Sequence, residues 1–200
     1  MSKTKERILE ASLALFNYQG LKTTTLQIIA NDVQISVGNL AYHYKNKQEI
    51  IAAHSEELTE SLQDVLGHYR NYPNFLDFHI QLEQIAAVLE RFKYIFTNLG
   101  EMELVYPDTF SIIKMFHEKL ATQIESRIEY HIDKGTMISL DGETISLLSS
   151  NVAMAILMNQ AQHLLSPQHL YKDVWFMIRP YFTENGLREW DMLISPTLIQ

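Results

Sequence analysis

Polar side chains that can hydrogen-bond to nucleic acid are concentrated between residues 23 and 51 of this chain. They include hydroxyl, amide and imidazole groups, which can contact phosphate oxygens and the edges of bases. Apolar residues recur around them at the spacing of two short helices joined by a tight turn. This pattern is typical of a helix-turn-helix, in which one helix supports a second that enters the major groove. The residues left facing outward are Ser36, Val37, Asn39, Tyr42 and His43.

The charge distribution favours contact with a polyanion at the N-terminal end. The chain of 200 residues carries a formal charge of −8, but residues 1–47 contain six lysines and arginines against three acids. Their charge is therefore +3, and the rest of the chain carries −11. A basic end on an acidic body can dock on DNA by that end and hold the remainder away from it.

Residues suited to catalysis or metal binding do not form a motif. No glutamate is followed three residues later by histidine, as a di-iron helical bundle requires, and GxxxxGK[ST], GxGxxG, GxSxG and HExxH are absent from the sequence. There is no cysteine, which excludes disulfides and thiolate metal sites and fits a reducing cytoplasm. We therefore expect no enzyme, no cofactor, no metal and a cytoplasmic protein.

Apolar residues at three- and four-residue spacing recur along the whole chain, whereas strand-like alternation is scarce. This predicts an all-α fold with a three-helix head over residues 1–47 and a helical bundle over residues 48–200. The charge-free stretch before Lys172 holds too many polar residues for a lipid-facing span, so we expect no membrane contact. The predicted helices are 4–19, 26–32, 36–44, 46–69, 75–99, 108–134 and 143–165, and a last one that opens at Pro167 and kinks at Pro180.

Residues 5–51 resemble the DNA-binding domain of the TetR family of transcriptional regulators. The resemblance joins many positions at fixed spacing, beginning with the pattern ILEAxLxLF in the first helix. It implies a dimeric one-component regulator that acts as a repressor, binds a palindromic operator and is released by a small, apolar ligand. A helical interaction protein, or an activator without ligand-released repression, stays open as an alternative. The other matching residues are Gly20, Thr24, Thr25, Ile29, Ala30, Ser36, Gly38, Leu40, Tyr42, His43, Tyr44, Lys45 and Lys47.

The resemblance also implies a role for each residue of the motif. Thr25 would meet a phosphate at the N-terminus of the second helix, and Gly38 would let the third helix approach DNA closely. Val37 and Asn39 would face base edges, the first on a thymine methyl and the second on adenine or a mixed step. Tyr42, His43 and Lys47 would bind phosphates. The implied DNA-binding set is Thr25, Ser36, Val37, Gly38, Asn39, Tyr42, His43 and Lys47.

Two positions depart from the family pattern. The turn holds Gln34 where glycine is common, so either the turn relaxes or a non-glycine residue takes a left-handed conformation. Ala41 stands where the family often has a tyrosine, which removes one possible phosphate contact. Both departures concern affinity and operator sequence.

The bundle offers a candidate dimer interface and a candidate ligand pocket. The helix over 143–165 has two apolar faces, and together with the helix after Pro167 it could form the four-helix interface by which this family dimerises; the alternative is burial within one chain. The interface residues would be Val152, Ile156, Trp175 and Ile178. The resemblance also implies a ligand pocket in the middle of the bundle, where the many aromatic residues favour an apolar or acyl ligand; a well-filled core would explain these residues equally well. The pocket residues would be Phe92, Phe96, Tyr106, Phe116, Met154 and Met158.

Overall fold

A computed structural model of the chain describes residues 3–67, 74–162 and 170–199. Within these ranges all regular structure is helical, apart from an isolated bridge between Met137 and Phe182, and the predicted all-α fold is confirmed. The helices are α1 Lys3–Gln19, α2 Leu26–Val33, α3 Val37–His43, α4 Lys47–Gly67, α5 Phe75–Arg91, α6 Lys93–Thr97, α7 Leu99–Val105, α8 Pro107–Asp133, α9 Gly142–Gln162, α10 Leu170–Ile178 and α11 Glu184–Leu193, with 3-10 turns at Arg179–Tyr181 and Ser195–Ile199.

Three predicted boundaries lie outside the described residues: the end of the fourth helix near residue 69, the end of the 143–165 helix, and the helix start at Pro167. At Pro180, where we predict a kink, the chain forms the 3-10 turn. None of the helices in the described ranges is long and apolar enough to cross a membrane.

The single helix predicted over 75–99 is wrong, because the helix breaks at Phe92. The side chain of Asn17 causes the break. Its amide nitrogen donates to the carbonyl oxygen of Arg91 over 2.8 Å, and its amide oxygen accepts from the backbone nitrogen of Tyr94 over 2.9 Å. Two backbone groups that would continue the helix are thereby satisfied by a side chain instead.

The chain separates into two compact units, each built from two stretches of sequence. The first unit contains Met1–Ser61 and Glu90–Ile113, and the second contains Leu62–Leu89 and Lys114–Gln200. The division after residue 47 stays a prediction: the first unit includes residues 1–47 and adds α4 up to Ser61 together with α6 and α7.

The first unit is organised around a small apolar core that α1, α2 and α3 share. Ile8, Phe16, Ile29 and Leu40 are all buried, each with no more than 1% of its surface exposed. Gly20 ends the first helix with φ 93°, a left-handed conformation that glycine adopts without strain. The core therefore fixes the angle at which α3 is held.

A buried polar cluster centred on His54 joins α1, α4 and α6 of the first unit. His54 is fully buried; its Nδ1 lies 2.9 Å from the hydroxyl of Tyr94, and its Nε2 lies 3.1 Å from the carbonyl oxygen of Leu9. A carbonyl can only accept, so Nε2 carries the proton and Nδ1 accepts from the tyrosine. Burial lowers the pKa of His54 to about 4. The ring is thus held neutral between three helices.

In the second unit, aromatic rings pack around the indole of Trp175. Phe75, Phe78 and Phe182 lie with ring centroids 5.5, 5.5 and 6.4 Å from it. The indole nitrogen donates to Nδ1 of His79 over 3.3 Å, so its polar group is satisfied in the core. The four rings and His79 therefore form the centre of this unit.

Candidate nucleic-acid interface

Helices α2 and α3 form a helix-turn-helix whose two N-termini are capped by side chains. The hydroxyl of Thr25 accepts from the backbone nitrogen of Ile28 over 3.3 Å at the start of α2. The hydroxyl of Ser36 accepts from the backbone nitrogen of Asn39 over 3.1 Å at the start of α3. Such caps satisfy amides that a helix leaves unpaired. The connecting turn between Val33 and Val37 is three residues long.

Gln34 closes α2 in the left-handed region, with φ 60° and ψ 46°. Its backbone nitrogen donates to Asn31, and that of Ile35 donates to Ala30 over 2.9 Å, which is the bonding of a glycine-type helix end. We expected either a relaxed turn or a non-glycine residue in a left-handed conformation, and the structure has the left-handed residue. The turn keeps its shape, and the glutamine carries the strain.

Replacing Gln34 with glycine is therefore expected to raise the free energy of unfolding by about 1 kcal/mol, because glycine has no steric penalty at this φ. Urea unfolding monitored by circular dichroism would measure the change. Gln27→Gly is the matched control: it places glycine on the exposed face inside α2 and should lower stability by about the same amount. A Gln34→Gly protein less stable than the parent would contradict this account of the turn.

Helix α3 presents a polar face to solvent and buries the opposite one. Tyr42 is 85% exposed, and Asn39 and Gly38 are exposed beside it. Leu40 is fully buried in the core behind them. The ring of Tyr42 meets that of His43 edge to face, with centroids 5.3 Å apart. A short helix with an exposed amide and phenol next to a glycine is suited to close approach to a base edge and a neighbouring phosphate.

The remaining motif residues differ in exposure. Val37 and His43 are half-buried, whereas Thr25 and Ser36 are exposed at the two caps. Apart from Lys47, which begins α4, the predicted set lies on α3 and at the N-terminal caps of α2 and α3. The contact of each residue with DNA stays a prediction.

Lys47, which belongs to the predicted set, has an ammonium group that already makes a hydrogen bond. The group donates to the carbonyl oxygen of Leu21 over 2.7 Å, and burial lowers its pKa while Glu101 raises it. One donor of the ammonium therefore ties the start of α4 to the segment after α1. Two further donors stay available, so the predicted phosphate contact is not tested by this bond.

Tyr44, which ends α3, belongs to the core and not to the exposed face. It is 3% exposed, its hydroxyl has no hydrogen-bond partner among the described residues, and burial raises its pKa to about 12. Lys5 places its ammonium group 5.2 Å from the ring centroid. The aromatic position of the family pattern is thus a packing position in this chain.

The structure distributes the six predicted pocket residues over both units. Phe92 and Phe96 are fully buried, and neither lines the open cleft of about 750 Å³ in the same unit, which Tyr106 does line. In the second unit Phe116 is buried, whereas Met154 and Met158 line a groove with Met177. The pocket stays a prediction, and Phe92 and Phe96 have the burial of core residues.

The four predicted interface residues are already buried within one chain. The exposed fractions of Val152, Ile156, Trp175 and Ile178 are between 0 and 5%. A second copy could reach them only if the second unit opened, because they have almost no free surface. Among the described side chains of α9 and α10, the large apolar ones left exposed are Leu147, Met154 and Phe176.

Sequence reasoning missed the cleft in the first unit, which we call the α4 cleft. It lies between residues 46–60 and residues 105–112. Its acidic residues, such as Glu56 and Glu60, are spaced like ordinary solvated charges on a helix. They become the wall of a cavity because residues 105–112 pack opposite them. No pattern within either segment indicates that the two lie close together.

Comparison with known proteins agrees with this geometry. The family model of bacterial regulatory proteins of the tetR family matches residues 8–54, which contain α2 and α3. The biofilm operon icaADBC HTH-type negative transcriptional regulator IcaR of Staphylococcus epidermidis is 29% identical over 142 residues, which cover 70% of this chain and 74% of that protein. The uncharacterized HTH-type transcriptional regulator YerO of Bacillus subtilis is 38% identical over 56 residues, or 28% of this chain and only 19% of YerO.

A solved structure extends the similarity beyond the N-terminal match. A TetR-family transcriptional regulator from Marinobacter aquaeolei superposes with a TM-score of 0.83 at 25% identity, covering 97% of this chain and 98% of that one. The similarity therefore includes the helices that follow the helix-turn-helix. With the capped α2–α3 motif and the match over residues 8–54, it establishes that this chain belongs to the TetR family of transcriptional regulators.

Proposed function

We propose that this protein is a dimeric repressor that binds a palindromic operator through α3 and leaves it when a small, apolar ligand binds. The observation that carries the proposal is the outward display of Asn39 and Tyr42 from a helix whose other side is buried at Leu40. The similarity to IcaR, a negative regulator, supports repression. Selection from random duplexes at moderate salt tests it: an enriched palindrome is expected, and none would overturn the proposal.

Asn39 and Tyr42, whose side chains α3 exposes, are expected to act differently. Tyr42→Phe removes one hydroxyl that would bind phosphate, so it should weaken binding to all duplexes alike by about 1 kcal/mol. Asn39→Ala removes an amide that would read a base edge, so it should cost about 1–3 kcal/mol on the operator and relax the preference at particular positions. Fluorescence anisotropy with the operator and with single-base variants would measure both.

Tyr18→Phe is the matched control for the tyrosine. Tyr18 is 92% exposed on α1, outside the helix-turn-helix, so its substitution should leave all affinities unchanged. Equal losses for Asn39→Ala on every duplex would contradict the assignment of Asn39 to base recognition.

The exposed apolar residues of α9 and α10 support a dimer formed by these helices. Leu147, Met154 and Phe176 are 58, 48 and 63% exposed in the single chain, and exposed apolar groups of this size are typical of interfaces. Two recognition helices related by a dyad would read half-sites about 34–36 Å apart or a multiple of that distance. The proposed interface is therefore formed by the helices that we predicted from the sequence, but by their solvent-exposed faces.

Phe176→Glu is accordingly expected to weaken dimerisation at least about tenfold, because a charge would have to be desolvated in the interface. Sedimentation equilibrium would measure the dissociation constant. Met192→Glu is the control, since Met192 is 70% exposed on α11 and should leave it unchanged. A Phe176→Glu protein that dimerises as tightly as the parent would rule out this surface.

Ligand release needs only modest coupling between ligand and operator. A coupling of about 1–3 kcal/mol weakens operator binding about 5–150-fold. The α4 cleft supports the proposal by its size, since ligand pockets measure roughly 300–1,000 Å³. Anisotropy of the operator complex during ligand screening tests this part.

A further inference from the structure

The α4 cleft combines an apolar floor with a polar base. Ile51 is buried in its floor, and Val105, Pro107 and Ile112 line the facing wall. At its base the hydroxyls of Ser55 and Thr109 lie 2.7 Å apart and are both buried. Covering the apolar floor with apolar surface is favourable, whereas water in contact with it is not. A ligand that fills this volume is therefore expected to have an apolar part.

The charged groups of the cleft all have one sign. Glu49, Glu56, Glu60 and Asp108 line it, whereas none of its described lining residues is a lysine, arginine or histidine. Four acids around one cavity repel each other and attract a cation, more strongly where the floor excludes water.

Three of these carboxylates have no cationic partner among the described residues. Glu56, Glu60 and Asp108 are exposed and form no ion pair among the described residues. By contrast, Glu57, which points away from the cleft on the same helix, lies 3.1 Å from the guanidinium of Arg91. The negative potential inside the cleft is therefore not neutralised by the protein itself.

We propose that the α4 cleft binds an organic cation with an apolar body. The charge would lie among Glu56, Glu60 and Asp108, and the apolar part on Ile51 and the facing wall. The half-buried ring of Tyr106 lines the same cleft and can add cation–π attraction. The same carboxylates would repel an acyl ligand that carries a carboxylate. The inference therefore restricts the apolar ligand of the proposed function to cations. Any effect of the cation on operator binding rests on that proposed function.

A bare metal ion fits this site less well than an organic cation. Among the described residues, no three acidic or imidazole side chains converge closely enough to hold a metal. The carboxylates are instead spread around a volume of about 750 Å³. Such spacing suits a diffuse charge on a large body.

The position of the cleft links its occupant to DNA recognition. Glu49, at its edge, accepts from the backbone nitrogen of Lys45 over 2.8 Å, and Asn46 accepts from the backbone nitrogen of Glu49 over 2.9 Å. These bonds form the junction between α3 and α4. A ligand that extends along the cleft to Glu49 would compete with Lys45 for that carboxylate and loosen the junction.

Two probes of nearly the same size and shape but opposite charge test the proposal. Isothermal titration of the full-length protein with tetraphenylphosphonium and with tetraphenylborate should show binding of the phosphonium at least about tenfold tighter. Equal affinity, or tighter binding of the borate, would overturn it.

Variants locate the binding. Glu56→Gln/Glu60→Gln should weaken phosphonium binding at least about tenfold, and Ala52→Trp should abolish it by filling the cleft. Glu103→Gln/Glu143→Gln removes two exposed carboxylates that do not line the cleft and should change the affinity less than about twofold. Unchanged binding in both cleft variants would overturn the proposal.

Operator affinity measured without the probe separates this inference from the proposed function. A protein that fails to select an operator but binds the phosphonium in the cleft contradicts the repressor and supports the site. A protein that binds its operator but not the phosphonium overturns the site and leaves the repressor standing.

Discussion

Lowering the pH from 8 to 5 is expected to reduce the free energy of unfolding of the first unit by about 2 kcal/mol through His54 alone. The folded protein holds the pKa of His54 at about 4, whereas an unfolded histidine titrates near 6.5. Between these values the unfolded state binds the proton and the folded state does not. The stabilisation is therefore complete above pH 6.5 and is lost as the pH falls toward 4.

Protonation of His54 is costly because Nδ1 faces a hydroxyl that donates to it, so a proton on Nδ1 would find no acceptor in this arrangement. Nδ1 accepts from Tyr94, whose hydroxyl would have to turn, and Nε2 already donates toward Leu9. The charge would also be buried, with Arg91 opposing it.

Thermal unfolding followed by circular dichroism at several pH values would measure the loss. His54→Gln is the comparison, since glutamine can donate and accept but does not titrate in this range. It should be less stable than the parent at pH 8 and show a shallower decline between pH 6.5 and 5. Identical slopes would contradict the role of His54, and the difference between the two proteins removes the contribution of His79, whose pKa burial also lowers.

Gly186→Ala is expected to destabilise the second unit by about 3 kcal/mol, the upper end for overpacking. A Cβ on Gly186 would clash with the carbonyl oxygen of Thr136 and lie 3.2 Å from Cβ of Phe182. The carbonyl cannot move aside easily, because it accepts from the backbone nitrogen of Thr183 over 3.1 Å. Accommodating the methyl group would therefore break a bond that joins two segments of backbone.

Tryptophan fluorescence during urea unfolding would measure this effect, since Trp175 and Trp190 both lie in the second unit. Gly142→Ala is the matched control. A Cβ there meets nothing within 4 Å, so the change should be neutral or slightly stabilising. If both variants unfolded at the same urea concentration, the close approach of Gly186 to Thr136 would not be a constraint.

The helix-turn-helix was predictable because its determinants are local. Thr25 and Ser36 are caps followed by apolar residues at helical spacing, and both cap in the structure. The break at Phe92 was not predictable, because it depends on Asn17, a residue more than seventy positions away.

Periodicity likewise showed that α9 has two apolar faces but not which one the chain covers. The face with Val152 and Ile156 is buried in a single copy, and the face with Leu147 and Met154 is not. That choice is made by tertiary packing, which residue spacing along one helix does not encode. The α4 cleft was missed for the same reason.

The two-stretch make-up of the first unit affects how its DNA-binding end can be isolated or exchanged between regulators. A fragment cut after Ser61 would lack Tyr94, and so would expose Phe16, whose ring lies 5.0 Å from that of the tyrosine, and leave His54 without its donor. A chimaera that takes only the N-terminal stretch from this protein would pack its α1 against the α6 of another regulator. Transfer of operator specificity should therefore carry residues 90–113 along with the N-terminal stretch.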